Sequence, residues 1–311
     1  MHDDSDSLRI NPCNLCPRLC GARRAQGEIG VCGAGIQLRV ARAALHFWEE
    51  PPLSGEAGSG AVFLVGCPLR CVYCQNHELA SAQVGWEIDI NRLVDAFMKL
   101  QENRALNINL VTPTQYTIQL REAIALARKQ GLHVPIVWNT SGYERVEVIQ
   151  ALEGTVDVYL DDFKYADSAL AKRYSKAPDY PQVALEALEA MVQTVGPPRY
   201  DTYQGQQRMT GGVIVRHLVL PGAIENSKRV LRMLWDRFGE SVSYSIMNQY
   251  TPVMERTAFA RFPELASTVS QSDYEDVLDF ADSLGLTDYF WQEGPAVGES
   301  FIPTWNGEGI L

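Results

Sequence analysis

Apolar runs of strand length alternate with stretches of helical periodicity along most of this chain. The strand runs are "AVFLVGC" from Ala61, "NINLVT" from Asn107, "VPIVWNTS" from Val134, "VDVYLDDF" from Val156, "GVIVRHLVLP" from Gly212 and "SVSYSIMNQY" from Ser241. Most open on continuously apolar positions, the pattern of strands covered on both faces in a parallel sheet. Between them Leu93, Phe97 and Leu100 share one helical face. So do Leu120, Ala123, Ile124 and Ala127 ahead of a stop at Gly131, and later Val230, Met233 and Leu234. Six strand-then-helix units in series predict right-handed crossovers and an α/β fold, either a parallel barrel or a doubly wound sheet. Ser272 with Glu275 predicts a capping box for a last helix that turns Val277, Phe280, Ala281 and Leu284 inward.

Two regions break the alternation. Residues 1–58 carry four cysteines and little periodicity, which predicts a small Cys-rich amino-terminal module beside a main domain at 59–311. The polar stretch "GPPRYDTYQGQQRMTGG" from Gly196 reads as a long loop. The aromatic tail "DYFWQEGPAVGESFIPTW" from Asp288 suits either a cover over the open side of a barrel or one wall of a pocket.

Composition narrows the class. A length of 311 residues at 46% hydrophobic content builds a core without disulfides. The start "MHDDSDSLRI" is acidic and polar where a signal peptide is basic and then apolar, and no run approaches the ~20 apolar residues of a membrane span. The expectation is a cytoplasmic protein with no membrane partner. A net charge of -11 repels phosphate backbones, which argues against nucleic acid. In a reducing compartment seven cysteines, an odd number, point to metal ligation or catalysis rather than to bridges.

Three of those cysteines fall in "VGCPLRCVYCQN", directly after the first strand run. A disulfide staple, a closed structural metal site and a deliberately incomplete metal site compete for them. C-x3-C-x2-C supplies three thiolates on one loop, Cys67, Cys71 and Cys74. A closed zinc site wants four ligands, and only His77 stands nearby to complete it. A 4Fe-4S cluster tolerates three, leaving one iron open to a small molecule. Polar groups end the other strand runs, in "VTPTQY", "WNTSGY", "DDFKY", "RHLVLPG" and "NQYTP". The mouth of a parallel barrel, where strand ends converge, is where such groups would meet. The amino-terminal Cys13, Cys16, Cys20 and Cys32 follow C-x2-C-x3-C-x11-C, which suits tetrahedral zinc or a second iron-sulfur cluster alike. His46, His133 and His217 read as packing groups.

These residues resemble the radical S-adenosylmethionine (SAM) superfamily, whose signature is C-x3-C-x2-C with an aromatic, here Tyr73, before the last cysteine. "CNLCPRLCGARRAQGEIGVCGAG", "HFWEEPPLSG", "CVYCQN" and "NLVTPTQY" together are similar to the pyruvate formate-lyase activating enzyme-like subgroup over nearly the whole chain. The resemblance implies a partial (β/α)6 TIM-like barrel and a 4Fe-4S cluster that binds and reductively cleaves SAM. It also implies an electron donor such as flavodoxin or ferredoxin. The 5'-deoxyadenosyl radical so made takes a hydrogen atom from a glycyl radical enzyme, another peptide or a small molecule. Implied SAM contacts are Tyr73, Asn139 at the third strand's end, Asp162 and Lys164 in a D-x-K at the fourth, and Arg216 on the fifth. The family's Gly-Gly-Glu-like segment is replaced by "VTPTQ", leaving Thr112 and Thr114 as candidates and no carboxylate for the methionine ammonium. The roles of Gln249 and Tyr250 stay open. A non-catalytic iron-sulfur or zinc protein is the alternative from another class.

Overall fold

The computed structural model describes residues 8–253, 259–292 and 303–311. Its strands are β1 (Leu38–His46), β2 (Ser59–Leu64), β3 (Trp86–Ile88), β4 (Ile108–Val111), β5 (Ile136–Thr140), β6 (Val158–Asp162), β7 (Arg199–Tyr203), β8 (Gln206–Leu218), β9 (Ser243–Met247) and β10 (Tyr289–Trp291). The helices are α1 (Pro51–Ser54), α2 (His77–Ala80), α3 (Ile90–Glu102), α4 (Thr117–Lys129), α5 (Val146–Gln150), α6 (Ser168–Ser175), α7 (Tyr180–Val195), α8 (Ile224–Phe238) and α9 (Gln271–Ser283). Among the described residues the sheet runs β10-β9-β8-β6-β5-β4-β2-β1-β3 without closing on itself. From β2 to β10 every pair on that path is parallel, and β1 and β3 are antiparallel additions at one edge. This is the mostly parallel α/β architecture that the alternation of elements predicts, in the partial-barrel form that the resemblance implies.

Alternation along each strand decides which residues reach the interior. Ala61, Phe63, Val65 and Val111 form one inner cluster, and Val137, Val158, Leu160 and Ile214 another. The intervening Leu64, Leu110, Ile136 and Trp138 lie under the helices with Leu93, Phe97, Leu100, Leu120 and Ile124. Each Leu or Phe so buried contributes about 1.5–3 kcal/mol by leaving water. Among the described residues no helix is long and apolar enough to cross a membrane.

Several expectations give way. The stretch 196–212 is no loop: β7 pairs antiparallel with the start of β8, through a turn at Gln204 and Gly205. The cap of α9 is Ser270, whose hydroxyl accepts from the Asp273 amide, so the box at Ser272 and Glu275 does not form. Phe280 does not turn inward; its ring lies under Lys228 and Arg232 of α8. His133 is exposed, whereas His217 is buried between the Phe163 carbonyl and the Ser227 hydroxyl. The boundary at 58/59 falls between β1 and β2, which pair along their length, so the sheet begins inside the expected module. Of the aromatic tail, 293–302 lie outside the described residues. Trp305 packs edge-on against Phe63, and Gly307 and Glu308 hydrogen bond to β1.

Because β1 runs opposite to β2, the chain leaving His46 emerges at the end of the barrel away from the strand C-termini. It turns in there as a plug. Leu53 is fully buried in the second inner cluster, and its carbonyl accepts from Asn107, which accepts from Ser59 at 2.6 Å. The plug raises Glu49 and Glu50 into the interior.

Behind the strand ends Glu144 ties β4 to β5. One of its oxygens accepts from the Thr114 and Thr140 hydroxyls, both at 2.6 Å, and from Trp138. Burial raises its pKa from 4.5 to about 7, against those hydrogen bonds. The folded acid thus keeps its proton to about pH 7, while the unfolded chain loses it near 4.5. Its contribution is complete below pH 4.5 and lost as pH rises through 7, a difference of about 3 kcal/mol. Glu144→Gln should flatten that part of the curve. Urea unfolding of both proteins from pH 4.5 to 8 checks it; parallel curves would refute the assignment.

Candidate active site

A cavity of about 310 Å³ opens at the strand C-termini, lined by Cys67, Cys71 and Cys74 on one side and by the ends of β4, β5, β6, β8 and β9 around it. The cysteine loop needs two left-handed residues, Gly66 and Arg70. A side-chain carbon at Gly66 would stand 2.6 Å from the Cys32 carbonyl oxygen, so only glycine allows that approach. The C-terminal end of α6 fixes the loop from behind. Val72 donates to the Tyr174 carbonyl, and the Ser175 hydroxyl lies 3.0 Å from Cys71 Sγ. Tyr73 is buried; it accepts from the Tyr165 hydroxyl at 2.8 Å and packs edge-on against Tyr165, Tyr174 and Tyr250.

Burial, then the Cys71 charge, raises the Cys67 thiol to about 11 and the Cys74 thiol to about 12. Three thiolates side by side therefore demand a cationic centre. A cubane cluster asks for one thiolate on each of three irons, and three cysteines of one loop lining the cavity supply that donor set. His77 is exposed and stands outside the cavity.

Opposite the thiols lies a buried charge network. Arg216 bonds Asp162 at 2.7 Å, Glu49 at 2.8 Å and the Asn139 amide oxygen at 2.9 Å, with Glu50 at 3.9 Å. Lys164 pairs with the other Asp162 oxygen at 2.9 Å. Burial alone would weaken every one of these charges; the pairing overrides it. Arg216 and Lys164 are held above their usual values and Asp162 below. Glu50 differs: burial lifts its pKa, and one of its oxygens has no hydrogen-bond partner. The oxygen of Asn76, also facing the cavity, has none either. His46 is pushed down to about 4, by burial first and then by Arg216 and Arg42.

The cavity gathers Cys67, Cys71, Cys74, Tyr73, Thr112, Asn139, Asp162, Lys164 and Arg216, all expected from sequence. Thr114 does not join them, because its hydroxyl points behind the strand ends to Glu144. Thr112 reaches the wall through a left-handed backbone, rare for a β-branched residue and typical of functional sites. Cys13, Cys16, Cys20 and Cys32 lie outside the cavity, behind the cysteine loop. Sequence reasoning missed Glu49 and Glu50, the carboxylates absent from "VTPTQ"; the acidic pair ahead of two prolines was their only signal. Gln249 and Tyr250 also line the wall.

Residues 61–203, from within β2 through β7, match the model of the Radical SAM superfamily. The chain is 24% identical over 284 residues to an uncharacterized protein of Methanocaldococcus jannaschii, covering 88% of this chain and 75% of that one. Among solved structures it is similar to a radical SAM methyltransferase from Sphaerobacter thermophilus at 15% identity (TM-score 0.49, covering 76% of this chain and 67% of that one). It is also similar to SuiB of Streptococcus suis, bound to the precursor peptide SuiA, at 14% identity (TM-score 0.49, covering 73% and 46%).

Arg216→Met should be the costliest single change in the wall. It leaves the buried Glu49 without its cation and Asp162 with Lys164 alone, a loss of about 3–5 kcal/mol. Lys164→Met should cost less, since Asp162 keeps Arg216. Equal destabilisation of the two variants in urea would contradict this ordering.

Proposed function

We propose that the protein is a radical SAM enzyme acting on a peptide or protein substrate, such as a glycine of a partner enzyme. The observation that carries it is the meeting of the three loop thiols and the paired Lys164 and Arg216 in one cavity. Cys67, Cys71 and Cys74 would hold the 4Fe-4S cluster, and Tyr73 backs their loop. With SAM bound, this group supplies one-electron cleavage of the sulfonium and a 5'-deoxyadenosyl radical that abstracts hydrogen from the substrate.

The chain's own residues divide the remaining work. The amino acid end of SAM is a zwitterion and needs both signs of charge. Lys164, held by Asp162, is the cation for the carboxylate. Glu50, which lines the cavity and has one oxygen that accepts no hydrogen bond, is the carboxylate for the ammonium that "VTPTQ" lacks. Asp162 orients Lys164 and Arg216 rather than touching the ligand, because both its oxygens are already taken. Asn139 and Thr112 are the polar contacts for the nucleoside. Among the described residues the sheet ends at β10 without closing, and Trp48 and Trp291 stand exposed at the cavity, which supports a macromolecular substrate over an enclosed small one. Flavodoxin or ferredoxin is the electron donor we propose.

Anaerobically reconstituted protein given SAM and dithionite should release 5'-deoxyadenosine. Cys71→Ala should abolish release; turnover surviving in that variant would remove the loop from the chemistry. Lys164→Ala and Glu50→Gln should keep the cluster absorbance and weaken SAM binding roughly tenfold or more, as expected for losing about 1.5–3 kcal/mol of charge-assisted bonding. Unchanged calorimetric affinity would take either residue out of the site.

A further inference from the structure

We infer that Cys13, Cys16, Cys20 and Cys32 hold a second iron-sulfur cluster, through which electrons enter toward the Cys67–Cys74 loop. This rests on the reading of that loop as a cluster site.

The two cysteine groups share their local design. Cys13, Cys16 and Cys20 use the same two spacings as Cys67, Cys71 and Cys74, in reverse order. In the loop group the Ser175 hydroxyl donates to Cys71 Sγ at 3.0 Å. Such bonds stabilise thiolate and tune cluster potentials. The buried Arg24 adds a cationic donor 3.6 Å from Cys32 Sγ. The four thiols are neighbours. A side-chain carbon at Gly30 would stand 3.2 Å from Cys32 Sγ and 3.6 Å from Cys20 Sγ, so the glycine keeps the space between them clear.

Position separates iron-sulfur from zinc. The Cys67 amide donates to the Cys32 carbonyl at 3.0 Å, one direct hydrogen bond from one group to the other. Arg18 reinforces the contact by donating to the Pro68 and Ser175 carbonyls, and Arg24 donates to Gln115, whose amide reaches Gly66. On the far side Cys20 is exposed, with Leu19, Ile29 and Val31 exposed around it. One edge thus meets solvent and the other meets the loop. Zinc has no redox step to make use of that placement. In the relay a low-potential flavin or iron-sulfur carrier protein loses one electron, the second cluster gains it, and the same electron passes on toward the loop. No bond or proton changes hands.

The test is iron and acid-labile sulfide content after anaerobic reconstitution, with electron paramagnetic resonance of the reduced protein. Two cubanes give about eight irons per chain and one gives about four. Wild type should hold about eight, the double variant Cys13→Ala, Cys16→Ala about four, and the triple variant Cys67→Ala, Cys71→Ala, Cys74→Ala also about four. The triple variant needs no change in the amino-terminal segment, so it reads the second site even if the double variant misfolds. One zinc with about four irons in wild type overturns the proposal, as does a triple variant without iron. Undiminished iron in the triple variant overturns the reading of the loop instead, and the two failures are thereby told apart.

Discussion

A guanidinium enclosed by a strand barrel has to be neutralised where it stands, and the arrangement around Arg216 follows from that constraint. Two carboxylates far apart in sequence supply the countercharge, Asp162 at the end of β6 and Glu49 on the plug that enters the opposite end, and the Asn139 amide oxygen from β5 accepts a further hydrogen bond. Withdrawing the plug would leave the arginine with Asp162 alone, and losing the arginine would strand Glu49. This mutual dependence sets the depth at which Glu50 and Lys164 face the cavity. A cavity built this way presents both signs of charge to a ligand while staying internally compensated.

The thiols opposite follow another rule. Buried cysteines hold their protons, and the burial that raises Cys67 and Cys74 also makes three adjacent thiolates untenable without a cationic centre. The loop is nevertheless shaped in advance, by the positive φ of Gly66 and Arg70 and by the Tyr174 and Ser175 contacts. Ligand geometry is thereby fixed by the fold of the chain, and charge is left for the cluster to supply.

Much of this was legible in the sequence because it is periodic or local. The parallel strands announce themselves as apolar runs, and the residues at which those runs stop, Asn139, Asp162, Lys164 and Arg216, do meet at one mouth. Contacts that depend on chain direction were not legible. Nothing in "LRVARAALH" says that β1 runs against β2, so nothing placed Glu49 and Glu50 in the floor of the cavity. Thr114 looked equivalent to Thr112, but the left-handed turn at Thr112 sends the chain behind the strand ends and leaves Thr114 on Glu144. The β7–β8 hairpin hid in a polar stretch because two exposed faces leave no alternation of burial to read.

The central claim is that the fourth iron of the loop cluster has no protein ligand and takes SAM in its place. An anaerobic crystal structure of the reconstituted protein with SAM tests it most directly. The account predicts irons on Cys67, Cys71 and Cys74, and the methionine amino and carboxylate groups on the remaining iron, with Lys164 and Glu50 beside them. A protein side chain on that iron, or a single tetrahedral metal among the three thiols, would contradict it.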